Sequence, residues 1–169
     1  DFVRASLARL GIPGSKVLRW ERLWDRPGAP LIEPERYPRV SAAFTGTHDT
    51  EPLAIWWERA SPTDRAETLR LLRTQEDFQR RAADDPDQPW SDVLRDGLLE
   101  LAYRTASREL FVPVQDVFGW RDRINTPAII SEDNWTWRLP WPVDRLESTP
   151  EAIERAAFCR ALGERAGRF

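Results

Sequence analysis

Three short apolar runs, separated by longer stretches with helical spacing, constrain this chain more than anything else in it. Lys16–Trp20, Ala42–Thr45 and Leu110–Val114 read as strands. Strand and helix alternating along a chain argue an α/β fold, because parallel neighbours need a crossover between them. A closed (β/α)8 barrel takes roughly 250 residues, and three strands cannot close one. The 169 residues therefore predict one domain that is either part of a barrel or a small open α/β sheet.

The helical stretches carry local start and stop signals. Residues 2–10, with Phe2, Val3, Leu7 and Leu10 on one face, read as a helix end stopped by Gly11-Ile12-Pro13-Gly14. Pro27, Pro30, Pro34 and Pro38 make 25–39 an irregular surface loop. Leu53 to Arg59 begins a helix, and Ser61-Pro62-Thr63-Asp64 starts another that runs to about Arg73. Asp84 to Pro89 is a loop. From Trp90 or Ser91 to Ser107, Leu94, Leu98, Leu101 and Thr105 share one face of an amphipathic helix. Residues 119–147 are rich in Trp and Pro without a clean period. Thr149-Pro150-Glu151 opens a last helix that reaches about Arg165.

Composition excludes several classes. The net charge of −3 and pI of about 5.4 favour neither nucleic acid nor an anionic membrane surface. No apolar run approaches the ~20 residues of a membrane span. Cys159 stands alone, which rules out an internal disulfide framework and fits a reducing cytoplasm. One His and one Cys cannot build a usual zinc or iron site, and no Gly-rich phosphate loop is present. No metal or cofactor is therefore expected. Asp1 is not a natural start, so the chain is expected to continue upstream. The nine tryptophans suit either core packing or stacking on the apolar faces of sugar rings.

The only histidine lies in Thr45-Gly46-Thr47-His48-Asp49-Thr50, at the exit of the second strand. Loops at the carboxyl ends of parallel strands converge on one pocket, which makes His48 and Asp49 candidate site residues. Two plainer roles stay open: His48 bonded to a backbone carbonyl, and Asp49 capping the helix that follows.

Several segments, in this order, resemble the C-terminal part of the 4-α-glucanotransferases (amylomaltases), glycoside hydrolase family 77 of the α-amylase clan. They are Leu10–Leu18, Tyr37-Pro38, Phe44–Thr50, Val112–Gly119, Arg123–Pro127 and Asn134–Leu139. The resemblance implies a partial (β/α)8 barrel, with the three strands as barrel strands six, seven and eight. It implies that Asp49 is the third, transition-state-stabilising carboxylate, and that His48, Asn134 and Trp135 bind substrate. The family's nucleophile and acid/base follow strands four and five, and so lie outside these residues. The implied substrate is a maltooligosaccharide or α-1,4-glucan, and the implied partner is the missing N-terminal part of the same barrel. Gln115 and Asp116 are expected to be structural, with Asp116 bonding an arginine or a helix start, and Arg123 and Arg138 to hold their loop through ion pairs. Glu21, Glu33 and the Asp84–Asp87 run read as solvated surface. The chain departs from the family at Thr50-Glu51-Pro52 and Ile130–Asp133. A non-catalytic carbohydrate-binding or scaffold domain, and a hydrolase of the same clan, are the alternatives.

Overall fold

The computed structural model describes residues 2–82 and 85–168. Asp84 of the expected 84–89 loop lies outside them. Three parallel strands, β1 (Gly14–Val17), β2 (Ser41–Phe44) and β3 (Glu109–Phe111), form one sheet in chain order. Their registers put Val17, Phe44 and Phe111 in one row and Lys16, Ala43 and Leu110 in the next. The side chains of alternate rows point to opposite faces.

The two faces are unequal. Ser41, Ala43 and Thr45 are buried, and Thr45 lines a small apolar space with Trp56, Leu98 and Leu101. On the other face Phe44 is only half-buried and Phe111 is exposed; their rings stack with centroids 5.2 Å apart. Parallel sheets are normally covered on both sides. This one is fully covered on one side; on the other, Val17 is buried at β1 and the cover is lost toward Phe111.

Among the described residues there are seven α-helices: α1 (Phe2–Leu10), α2 (Leu53–Arg59), α3 (Pro62–Leu72), α4 (Glu76–Arg81), α5 (Asp92–Tyr103), α6 (Val114–Phe118) and α7 (Pro150–Arg165). Local chemistry starts two of them. Ser61 Oγ accepts from the Asp64 amide at 3.1 Å, with Pro62 in the first turn. Ser91 Oγ accepts from the Leu94 amide at 3.3 Å. Helix α5 packs against α3, α4, α6 and α7. Leu69, Leu72, Leu94, Leu98 and Trp57 fill the core beneath it, each buried side chain contributing about 1.5–3 kcal/mol. Among the described residues no helix is long and apolar enough to cross a membrane.

Several expected boundaries move. Strand β1 ends at Val17, not Trp20, because the Trp20 amide turns back to the Val17 carbonyl at 2.8 Å. Strand β3 stops at Phe111, not Val114. Pro113 cannot continue the ladder, and the Asp116 amide closes on its carbonyl at 3.0 Å to begin α6. Helix α5 ends at Tyr103, not Ser107. The Thr105 hydroxyl captures the Ser107 amide at 3.2 Å, and Arg168 donates to the carbonyls of Tyr103, Thr105 and Ser107, satisfying an otherwise open helix end. The 25–39 segment is irregular, yet it buries Leu31, Pro34 and Tyr37. Glu21 pairs with Lys16 at 2.7 Å with both side chains mostly covered, so it is not a solvated carboxylate. Helix α4 was not expected at all.

Phe78 of α4 lies over Gly97 of α5, where an added Cβ would meet the ring at 2.7 Å. Gly97→Ala gains about 1 kcal/mol of helix propensity but costs about 1–3 kcal/mol in overpacking. A net loss of stability is expected, read as a lower urea midpoint; an unchanged or higher midpoint would mean the ring yields freely.

Candidate functional site

The loop from β2 to α2 is built to hold its apex up. Gly46 sits where a Cβ would fall 2.8 Å from Thr50 Oγ1 and 2.9 Å from Arg19 Nη2, so a larger residue would displace one of these side chains. Thr50 Oγ1 accepts from the Thr47 amide at 2.9 Å and donates to the Thr47 carbonyl at 3.0 Å. These contacts close a turn whose tip is His48-Asp49, with side chains 55% and 49% exposed. The tip borders an open cavity of about 450 Å³ at the carboxyl ends of β2 and β3, lined by His48, Glu51, Gln115, Arg123 and others.

His48 Nε2 lies 3.3 Å from Asp49 Oδ2. The other carboxylate oxygen accepts from Asn125 Nδ2 at 2.7 Å. The His48 and Trp135 rings are 5.1 Å apart and tilted by 42°. Trp135 is held at φ +66°, with its amide on the Ile124 carbonyl at 2.8 Å. A bulky residue in left-handed backbone is uncommon, and such strain gathers at functional sites.

Of the four residues the sequence singles out, the structure brings three together: His48, Asp49 and Trp135. Asn134 sits next to Trp135, but its amide is committed to backbone. Its Oδ1 accepts from the Thr126 amide at 2.9 Å, and its Nδ2 donates to the Ile129 carbonyl at 2.8 Å. It pins the 126–134 loop from which Trp135 projects.

The base of the loop is tied by buried charge. Asp116 accepts from the Thr45 hydroxyl at 2.5 Å and from the Leu53 amide at 2.8 Å. It therefore caps α2, as the helix-start expectation had it, and Asp49, Thr50 and Glu51 do not. Burial pushes the Asp116 carboxyl above its ordinary range, while the Leu53 amide, the Thr45 hydroxyl and Arg19 pull it down without cancelling that. Arg19 donates to Glu51 Oε1 at 3.2 Å and to the Glu51 carbonyl at 2.8 Å, and stands over the Trp56 ring at 5.5 Å. Burial draws its pKa down, and Glu51 and Asp116 push it back up. Arg123 pairs with Glu51 at 3.4 Å and donates to the Asp49 carbonyl at 2.9 Å. Arg138 donates to the carbonyls of Thr136 and Trp137 instead of forming the expected ion pair. Gln115 Nε2 is buried without a hydrogen-bond partner at the cavity wall.

Sequence reasoning missed Arg19 and Asn125, and noted Glu51 only within the Thr50-Glu51-Pro52 departure from the family. Asn125 stands inside a quoted motif, which was the one signal for it. Among the described residues no group of three or more His, Cys, Asp or Glu side chains is placed to hold a metal.

Comparison with known proteins bears on the family and the fold. The family model described as 4-alpha-glucanotransferase matches residues 1–144. A 4-alpha-glucanotransferase from Thermus thermophilus is 34% identical over 164 residues, covering 90% of this chain and 30% of that protein. A chloroplastic/amyloplastic 4-alpha-glucanotransferase from Solanum tuberosum is 28% identical, covering 78% of this chain and 23% of its own. An amylomaltase from Streptococcus agalactiae, solved in complex with acarbose, superposes with a TM-score of 0.70 at 25% identity, over 99% of this chain and 30% of that one. The chain thus spans about a quarter to three-tenths of the length of these relatives.

Asp116→Ala orphans the Thr45 hydroxyl and the Leu53 amide, at about 1–3 kcal/mol for each buried donor, and should lower the melting temperature by several degrees in calorimetry. The sign of the pH effect follows from the raised carboxyl. What Asp116 contributes to stability is fully present below about pH 4, the ordinary aspartate value, and is lost as pH rises through the higher folded value. The stability gap between wild type and Asp116→Asn should therefore shift against the wild type as pH rises above 4. A gap moving the other way would show that the buried carboxylate is stabilised as an anion.

Proposed function

We propose a role in α-1,4-glucan transfer for this chain, which belongs to the 4-alpha-glucanotransferase family. In this reading β1, β2 and β3 are the last three strands of a (β/α)8 barrel, and the remaining N-terminal part of the same polypeptide covers the open face that Phe44 and Phe111 present. Coverage of about three-tenths of the relatives' length supports that division.

The observation that carries the proposal is the position of His48 and Asp49, both half-exposed, at the tip of the loop that leaves β2, with His48 lining the cavity. Barrel enzymes build their sites from such loops. Retaining transfer needs two carboxyl groups elsewhere in the barrel. One attacks the anomeric carbon while the other gives its proton to the departing sugar oxygen. An acceptor hydroxyl then returns its proton to that group and displaces the enzyme carboxylate. No cofactor enters.

Asp49 serves as the third carboxylate. It accepts hydrogen bonds from ring hydroxyls, and those bonds strengthen as positive charge builds on the sugar. His48 donates a ring N–H to the same unit, and Trp135 offers its indole face to an apolar sugar face. Asn134 acts by holding the loop that carries Trp135. The donor and acceptor are maltooligosaccharides or α-1,4-glucan.

The full-length polypeptide given maltotriose should produce a ladder of longer and shorter glucans. Glucose and maltose alone would mean hydrolysis, and binding without turnover would mean a carbohydrate-binding scaffold. Asp49→Asn should cut kcat by about a hundred- to a thousandfold, the cost of losing one transition-state contact, with little change in melting temperature. A wild-type rate for that variant would overturn the assignment. The isolated 169-residue chain is expected to be inactive.

A further inference from the structure

The Asp49 carboxylate is gripped by an element far from it in sequence. Asn125, 76 positions away, donates from Nδ2 to Asp49 Oδ1 at 2.7 Å. The backbones of the two residues are joined as well. Arg123 Nη2 donates to the Asp49 carbonyl at 2.9 Å, and Arg123 Nε donates to the Asn125 carbonyl at 3.2 Å. Arg123 Nη1 meets Glu51 Oε2 at 3.4 Å, and Glu51 Oε1 in turn meets the buried Arg19. The span that the amide must bridge is therefore set by a chain of ion pairs anchored in the interior.

A carboxylate on a surface turn has a broad, two-fold terminal torsion. A donor on one oxygen removes that freedom. Here it leaves Oδ2 as the oxygen beside the imidazole, 3.3 Å from His48 Nε2, and His48 lines the cavity. An amide donor also has no proton of its own to lose near neutral pH.

We infer that Asn125 is a positioning residue for Asp49: its side-chain amide fixes the carboxylate rotamer so that Oδ2 and His48 Nε2 together meet one sugar unit. The inference rests on the glucan-transfer reading for its substrate, but the grip itself is a property of the fold. The charged and titratable groups around the contact are His48 on the same loop, Arg123 beside it, Glu51 and Arg19 beneath it, and Asp122 on the cavity wall.

The test uses Asn125→Asp and Asn125→Ala in the full-length polypeptide with maltotriose. A carboxyl at position 125 sits against Asp49 and shares one proton with it in acid, donating as the amide does. Above the pair's titration both are charged and repel. Asn125→Asp should therefore keep near wild-type kcat on the acid side and lose it as pH rises. Asn125→Ala should lose about ten- to a hundredfold in kcat at every pH, the usual cost of removing a group that orients a site residue, with KM nearly unchanged. A purely structural role would lower both variants equally at all pH values and reduce their melting temperatures. Parallel pH profiles for Asn125→Asp and wild type would overturn the inference.

A second measurement needs neither turnover nor a variant at 125. The side-chain amide resonance of Asn125 should move on Asp49→Asn, and an unmoved resonance overturns the grip. If the wild type fails to redistribute maltotriose while this resonance still responds, the transfer reading fails and the grip stands.

Discussion

Asp116 is the point at which the separate pieces of this molecule meet. Its carboxylate joins the last residue of the β2 run to the first amide of α2, from a short helix that follows β3. Behind it stands Arg19, at the exit of β1. One buried group thus ties together the carboxyl ends of all three strands. An ionised side chain in that position is costly unless its partners are in place. The fold supplies two donors within 2.8 Å and a buried guanidinium, which offset that cost only in part. The same contacts set the base of the 45–52 loop, so the geometry of His48 and Asp49 follows from burial several residues away.

A second constraint comes from the sheet. Its helical side holds a packed core with Ala43 and Thr45 fully covered, whereas its other side shows Phe111 to solvent. Exposed apolar surface of this kind costs roughly 25 cal/mol per Å² relative to burial. A parallel sheet with one face partly bare is half of a layered structure. The match to about three-tenths of longer relatives supplies a physical account of that asymmetry. At the site the imidazole of His48 lines the cavity, with the Asp49 carboxylate and the Trp135 indole beside it.

Much of this was legible in the sequence, and what was not has a common cause. The starts of α3, α5 and α7 are announced by Ser61, Ser91 and Pro150, whose capping and φ preferences act within four residues. Parallel α/β order followed from alternation, and the position of His48-Asp49 at a strand exit followed from the apolar run before it. The strand ends were misread because turns at Val17–Trp20 and Pro113 interrupt runs that remain apolar. Helix α4 has only six residues, four of them charged, and shows no amphipathic period. The ties that shape the site span 63, 71 and 76 positions. No local spacing links Asp116 to Leu53 or Asn125 to Asp49. The family resemblance pointed to Asn134 as a substrate contact, but an amide suits two backbone groups as well, and in the fold it meets those.

The account stands on one spatial claim, that the imidazole of His48 and the carboxylate of Asp49 face a bound glucose unit. A crystal structure of the full-length polypeptide with a bound maltooligosaccharide tests it most directly. Ring hydroxyls are expected within about 2.7–3.2 Å of both His48 Nε2 and Asp49 Oδ2. An oligosaccharide seated elsewhere, with that pair turned to solvent or into packed side chains, would contradict the account.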